Sequence, residues 1–267
     1  MKKALTIAGS DSSGGAGVQA DLKTFSALGV FGMSVITAVT AQNTQEVFAV
    51  QDIDAPVIEK QIEAVYSDIM VDALKIGMVS CCQTIVAVAG GLARYKARNV
   101  VLDPVMIAKS GYHLLQPEAM EAFMTLLLPL ATIVTPNIPE AEEMSKRKIY
   151  GLEDMEEAAR AIHALGAEYV LVKGGHRTGE ATDILFDGQV CCRFSTPRLA
   201  TVHTHGTGCT LSAAIAANLA QGYPMKEAVG RSKEYIQTAI QHSFPIGKGA
   251  GPLHHFYTLY KNAGLVK

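Results

Sequence analysis

The chain of 267 residues carries 23 Lys and Arg against 25 Asp and Glu, a formal net charge of −2, with 49% hydrophobic and 18% charged residues. That balance excludes a disordered chain, which combines low hydrophobicity with high net charge. It also argues against a nucleic-acid or polybasic membrane binder, which needs a marked basic excess.

Apolar runs predict strands over 4–8, 34–40, 73–76, 99–102, 132–135 and 169–173. Val18, Leu22, Phe25 and Leu28 recur at helical spacing between the first two, and Ile58, Ile62, Val65 and Ile69 do so before the third. The segment 155–165 begins among acids and stops at Gly166. Strand–helix alternation with continuously apolar strands predicts a three-layer, Rossmann-like α/β fold, a mostly parallel central sheet with helices on both faces. The runs 183–186 and 190–194 flank Asp187-Gly188, which suits the tight primed turn of a small hairpin. No repeat, low-complexity tract or linker interrupts the chain, so 1–267 reads as one domain.

Cys81, Cys82, Cys191, Cys192 and Cys209 form neither a secreted framework nor a CxxC pair, which points to a reducing, cytoplasmic setting. The apolar run after Met1-Lys2-Lys3 is too short for a signal peptide. The apolar stretch 123–135 is broken by Pro129 and too short for a membrane span.

Polar and glycine residues collect after the predicted strands: Gly9-Ser10-Asp11, Gln42-Asn43-Thr44, Gly77-Met78, Asp103-Pro104-Val105-Met106, Pro136-Asn137 and Gly174-Gly175-His176. In open α/β sheets the carboxyl edge of the strands binds ligands. Ordinary turn chemistry accounts for many of these residues, but it does not call for Gln42, Met78 or Lys109.

Three glycine-rich loops lie on that edge. The loop 9–17 spaces Gly9 and Gly14 like a P-loop, yet Gly15 and Ala16 stand where Lys and Ser or Thr belong. The match of 15–20 to G-x-G-x-x-A lacks the acid about twenty residues on that would hold a ribose, so a dinucleotide site is rejected. A polar loop over a small-molecule pocket remains, with Asp21 one turn into the following helix. The second loop, Thr204-His205-Gly206-Thr207-Gly208-Cys209-Thr210, precedes a small-residue helix. The N–H groups of Gly206, Thr207 and Gly208 would converge on an anion at the positive helix end. Cys209 is expected there with its thiol pKa lowered from about 8.5, as a base or a nucleophile. The third loop, Lys173-Gly174-Gly175-His176, brings a cation to the same edge. Asn137 and Glu140 share a helical turn and suit Mg²⁺ held largely through water and substrate phosphates. His203, His205, His254 and His255 read as ordinary loop histidines.

Seven segments in order, Gly9–Lys23, Thr40–Thr44, Lys75–Met78, Asp103–Met106, Thr135–Ala141, Lys173–His176 and Thr204–Thr210, make the chain resemble the hydroxymethylpyrimidine/phosphomethylpyrimidine kinases of thiamine biosynthesis, in the ribokinase-like superfamily. The resemblance implies ATP and Mg²⁺ as cofactors and two successive phosphorylations: of the hydroxymethyl group of an aminopyrimidine, then of its monophosphate. It implies that Gln42 reads the aminopyrimidine while Gly9, Asp21, Met78 and Val105 line the substrate pocket. It places Asn137 and Glu140 at Mg²⁺ and phosphate, Lys173, Gly175 and His176 at ATP, Gly206, Thr207 and Gly208 in an anion hole, and Cys209 where sugar kinases carry a catalytic Asp. It implies a homodimer. Lys109-Ser110-Gly111 and Lys248-Gly249 are expected as glycine-hinged cationic loops closing over phosphates.

Three rival readings remain open. Pyridoxal is also a small ring bearing a hydroxymethyl group. Cys209 with a nearby His could serve a hydrolase. A non-catalytic nucleotide sensor could use the same fold.

Overall fold

Hydrogen bonding joins nine strands into one sheet, seen in a computed structural model that describes residues 1–107, 111–175 and 180–266. In chain order the elements are β1 (Lys3–Asp11), α1 (Gly17–Ala27), β2 (Phe31–Gln42), β3 (Val47–Asp52), α2 (Ala55–Tyr66), β4 (Ala73–Ile76), α3 (Cys82–Arg94) and β5 (Val100–Leu102). An irregular helical stretch follows, containing α4 (Met120–Ala122) and a π-turn at Phe123–Leu127. Then come β6 (Ile133–Val134), α5 (Ile138–Ser145), α6 (Leu152–His163), β7 (Tyr169–Val172), β8 (Ala181–Phe186), β9 (Cys191–Thr196), α7 (Thr207–Ala220), α8 (Met225–Gln241) and α9 (Tyr257–Asn262).

The sheet order is β3-β2-β1-β4-β5-β6-β7-β8-β9. The six strands from β2 to β7 run parallel; β3 and the β8–β9 hairpin are antiparallel edges. Order reverses between β1 and β4, so a crevice opens beyond their carboxyl ends. The strands alternate strictly between two cores. Leu5, Ile7, Leu74, Ile76, Leu102 and Val134 face α2, α3, α5 and α6, while Ala4, Ala73, Val101, Ile133 and Leu171 face α7 and α8. This is the three-layer fold the alternation predicts.

The differences are local. β1 and β2 are longer than expected, and β6 is trimmed to two residues. At the hairpin Gly188 takes a positive φ, and the Asp187 carboxylate accepts from the N–H groups of Gln189 and Val190.

Candidate functional site

At the end of β1 the Asp11 carboxylate organises the first glycine loop. Oδ1 accepts from the Ser13 N–H and hydroxyl, both at 2.8 Å, and Oδ2 accepts from the N–H of Gly15 (3.1 Å) and Ala16 (2.8 Å). His205 Nε2 donates to the same Oδ2 at 2.8 Å. Burial would raise the Asp11 pKa, but the bonds from His205 and Ser13 win and hold it down at about 2. Asp11 thereby ties the first loop to the second across the crevice.

The contact is tight. Gly206 caps α7 at φ +81°, and a methyl there would lie 1.8 Å from the Gly15 carbonyl oxygen, so only glycine fits. Beyond it, the first-turn N–H groups of Gly208 and Cys209 have no intrahelical acceptor and face the positive end of the dipole. Thr207 departs from the expected anion hole, because its N–H turns back to the Thr204 carbonyl at 3.4 Å and its hydroxyl to the same oxygen at 2.8 Å. Gly206 fixes the turn and Gly208 and Cys209 supply the donors.

The expectation of a lowered Cys209 thiol is also corrected. Burial pushes the thiol up to about 11, against the pull of Lys75 and of the Gly17 N–H; the carboxylates of Asp21 and Asp103 add to the rise. The helix N-terminus does not overcome that desolvation, and the thiol is protonated at neutral pH.

Beneath this turn, Lys75 and Asp21 form an ion pair at 2.8 Å with both side chains 0% exposed. Thr6 Oγ1 donates to Asp21 Oδ2 at 2.6 Å. Burial pushes the Asp21 carboxyl up; burial also works against the Lys75 ammonium, but Asp21 raises it above its ordinary value. Asp21 is thus sealed under the pocket rather than lining it, because an ion pair with 0% exposure has no face left for a ligand. Gly9 and Met78 do meet, a methyl on Gly9 falling 3.0 Å from the Met78 sulfur. Val105 stands half-buried just past Asp103, its N–H on the Asp103 carbonyl. Gln42, half-buried at the end of β2, reaches His205 Nε2 at 3.4 Å.

The other end of the crevice is charged. The N–H groups of Asp103, Thr135 and Lys173 continue the ladder into Ile76, Leu102 and Pro136 carbonyls, aligning the three residues along the sheet edge. Lys173 Nζ donates to Asp103 Oδ1 at 2.9 Å, Thr135 Oγ1 donates to the same oxygen at 3.3 Å, and Ser212 Oγ donates to Oδ2 at 3.3 Å. Burial works against both charges, but Lys173 holds the Asp103 carboxyl below its ordinary value, and Asp103 and Glu140 hold the Lys173 ammonium above its own. A Cβ on Gly208 would sit 3.4 Å from Lys173 Nζ, so the α7 turn lies directly over this pair. Lys173 is positioned from behind: the Gly174 N–H donates to Asp183, whose other oxygen takes the Lys233 ammonium at 2.6 Å. Gly175 is exposed, its carbonyl accepting from Arg198.

Asn137 and Glu140 form a reciprocal capping box on α5: Glu140 N–H to Asn137 Oδ1 at 3.0 Å, Asn137 N–H to Glu140 Oε2 at 2.8 Å. Glu140 is buried. Desolvation, reinforced by Asp103 and opposed by Lys173, pushes its carboxyl up to about 7. Because that pKa lies above its ordinary 4.5, Glu140 favours the fold fully below about pH 4.5, and this contribution is lost as pH rises through 7. The Tm of the parent chain is therefore expected to fall between pH 5 and 7.5, and Glu140→Gln to flatten that fall; calorimetry at stepped pH checks both.

Two expectations, His176 and the loop at Lys109 and Ser110, lie outside the described residues. The 246–251 loop does not stand free as a hinged flap. The Gly249 N–H donates to Thr44 Oγ1 at 3.0 Å and the Ala250 N–H to the Thr44 carbonyl at 3.1 Å, because Gly249 packs too closely on Thr44 to carry a side chain. Lys248 is exposed beside this anchor. Asp11, His205, Asp103 and Lys75 were given no role by sequence reasoning, and His205 is no ordinary loop histidine. Their placement at the end of β1, in the second glycine loop, after β5 and near the end of β4 was the available signal.

The family model described as phosphomethylpyrimidine kinase matches residues 11–254. A hydroxymethylpyrimidine/phosphomethylpyrimidine kinase from Rhizobium meliloti is 56% identical over 263 residues, covering 97% of this chain and 98% of its own. The solved phosphomethylpyrimidine kinase from Clostridium difficile 630 superposes with a TM-score of 0.81 at 53% identity, covering 90% of this chain and 100% of that one. The ADP complex of Bacillus subtilis pyridoxal kinase gives 0.89 at 43% identity, covering 96% and 97%. With ordered motifs, fold and near-full-length identity in agreement, this chain belongs to the phosphomethylpyrimidine kinase family.

Proposed function

We propose that this kinase transfers phosphate from ATP to the hydroxymethyl group of 4-amino-5-hydroxymethyl-2-methylpyrimidine, and then to the monophosphate so formed. One observation carries the reading. The segment 205–209 touches the Gln42 amide through His205 at one end and overlies the Lys173–Asp103 pair at Gly208. An amide can pair a ring nitrogen and its neighbouring amino group at once, so the ring belongs beside Gln42, Gly9, Met78 and Val105, and the phosphates beside Lys173 and the α7 turn.

Phosphoryl transfer passes through a loose transition state in which positioning and charge neutralisation do most of the work. The donors at Gly208 and Cys209 and the Lys173 ammonium meet the charge spreading over the transferred group. The hydroxyl proton is lost late, so the Cys209 sulfur orients the attacking oxygen, and its minor thiolate form takes the hydroxyl proton as the new P–O bond forms; the resulting thiol returns that proton to solvent after product leaves. Glu140 and Asp103 fit Mg²⁺: two buried carboxylates share one ammonium, and burial, with Asp103 beside it, pushes Glu140 up to about 7, a cost that a cation there would relieve. With water and nucleotide phosphates they would hold the cation, which supplies neutralisation of phosphate charge. Asn137 acts through the capping box that orients Glu140. The homodimer, the cytoplasmic setting and the reading of 1–267 as one kinase domain belong to this proposal; among the described residues no helix is long and apolar enough to cross a membrane.

Pyridoxal is a second candidate, supported by the similarity to the Bacillus subtilis pyridoxal kinase. Purified protein with ATP, Mg²⁺ and either alcohol decides between them. Two successive gains of a phosphoryl mass on the aminopyrimidine are expected, and turnover of pyridoxal alone overturns the reading.

A further inference from the structure

The end of the Gln42 side chain has two polar neighbours, and together they settle which way its amide faces. Thr40 Oγ1 lies 3.4 Å from one terminal atom and donates its single proton to the Ser10 carbonyl at 2.7 Å. That hydroxyl can therefore only accept from Gln42. His205 Nε2 lies 3.4 Å from the other terminal atom and 2.8 Å from Asp11 Oδ2. Asp11 already receives four donors from the loop, so the proton between Asp11 and His205 sits on Nε2. An amide nitrogen facing His205 would oppose donor to donor there, and its oxygen would oppose a spent hydroxyl at Thr40. Half a turn of the amide, which leaves its heavy-atom shape unchanged, relieves both contacts together. The carbonyl faces His205 and the NH₂ faces Thr40.

We infer that Asp11, His205 and Thr40 are positioning residues that lock the Gln42 amide in this direction, and so fix the orientation in which an aminopyrimidine enters the site. The inference rests on the aminopyrimidine being the substrate. The free edge of the amide offers an acceptor on the His205 side and a donor on the Thr40 side. A 4-aminopyrimidine matches it with its amino group toward His205 and ring nitrogen N3 toward Thr40. The hydroxymethyl group sits on the next carbon beyond the amino group, away from N3, and so points past His205 toward Gly206–Cys209. The opposite amide direction would turn the alcohol away from the α7 turn. The same loop that builds the phosphate end thus also sets the polarity of ring recognition.

The test compares the aminopyrimidine alcohol with its 4-oxo analogue, which carries N3–H and a carbonyl and so presents the reversed pattern. The parent enzyme is expected to prefer the amino form by about a hundredfold in kcat/KM. His205→Phe should reduce that preference to within about fivefold, through KM for the two pyrimidines, with KM for ATP unchanged. His205→Gln, which restores an N–H donor, should recover much of it, and Thr40→Val, which removes the acceptor, should repeat the loss if His205→Phe does not fold. A general structural defect would depress both substrates alike and leave their ratio intact; an unchanged ratio in folded variants of an active enzyme overturns the inference alone. A parent enzyme that phosphorylates neither pyrimidine overturns the substrate reading and this inference with it.

Discussion

Cys209→Ala is expected to lower kcat by about two to three orders of magnitude, the range that a positioned proton-transfer group contributes. KM for the alcohol and for ATP should change little, because the ring is held by Gln42 and the phosphates by Lys173 and backbone N–H groups. Substitution by Ala leaves the Gly208 and Cys209 backbone donors in place, so the loss reports on the sulfur alone. Burial sets a further expectation. With the thiol pushed up to about 11, the thiolate fraction grows with pH throughout the neutral and mildly alkaline range. If the thiolate takes the proton, kcat of the parent enzyme should climb across pH 7 to 9 and the alanine variant should lose that slope. Steady-state kinetics over that range measures both. A variant with undiminished turnover would remove Cys209 from the mechanism.

Lys75→Met should produce the largest loss of stability of any single change in the site. It strands the Asp21 carboxylate in a place with no exposure, and breaking a buried pair from one side typically costs about 3–5 kcal/mol. Removing both charges, with Asp21→Asn and Lys75→Met together, should recover most of that loss, since the uncompensated charge rather than the missing attraction dominates. Urea denaturation of the two single variants and the double variant gives the coupling directly. Additive losses would show that the pair does not act as a unit. The double variant should still be slow, because Lys75 also pulls the Cys209 thiol down and its absence leaves the sulfur with burial alone.

The parallel sheet was legible because its strands are short, apolar and regularly spaced by amphipathic helices. Elements that escaped had weaker patterns for identifiable reasons. β3 is an edge strand with Phe48 63% exposed, so no alternation marks it. α3 contains Gly90 and Gly91, and its glycines look like a turn in sequence; in space Gly91 packs against Ile62, where a Cβ would lie 2.9 Å from the Ile62 side chain. The buried stripe of α8 includes Ser232 and Lys233, polar residues satisfied by Asn218 and Asp183. Of the candidate site, the residues that the sequence singles out lie inside contiguous motifs: Gln42, Asn137, Glu140, Lys173 and 206–209. Their long-range partners are not singled out, since Asp11 and His205 are 194 residues apart, Lys173 and Asp103 are 70 apart, and Lys75 and Asp21 are 54 apart. The lowered thiol expected at Cys209 failed for the same reason: local position gives the dipole, but only the assembled fold gives the burial and the two carboxylates.

The placement of α7 has a consequence for how the chain comes off the ribosome. This helix is buried from Thr210 to Ala220 and packs on β1, β4 and β5, in the middle of one face of the sheet. Those strands are complete by residue 102, and about a hundred residues must still be synthesised before their cover arrives, a delay of about 5–20 s at common translation rates. During that time Ala4, Ala73 and Val101 present an unroofed apolar floor. A chain ended at residue 205 is expected to bind a hydrophobic dye and to aggregate, whereas one ended at 241 should do neither; equal dye binding by the two would show that the floor closes without α7. Vectorial synthesis therefore puts the helix that carries the transfer loop last into the middle of the sheet, so catalytic competence and protection from aggregation are acquired in the same late step.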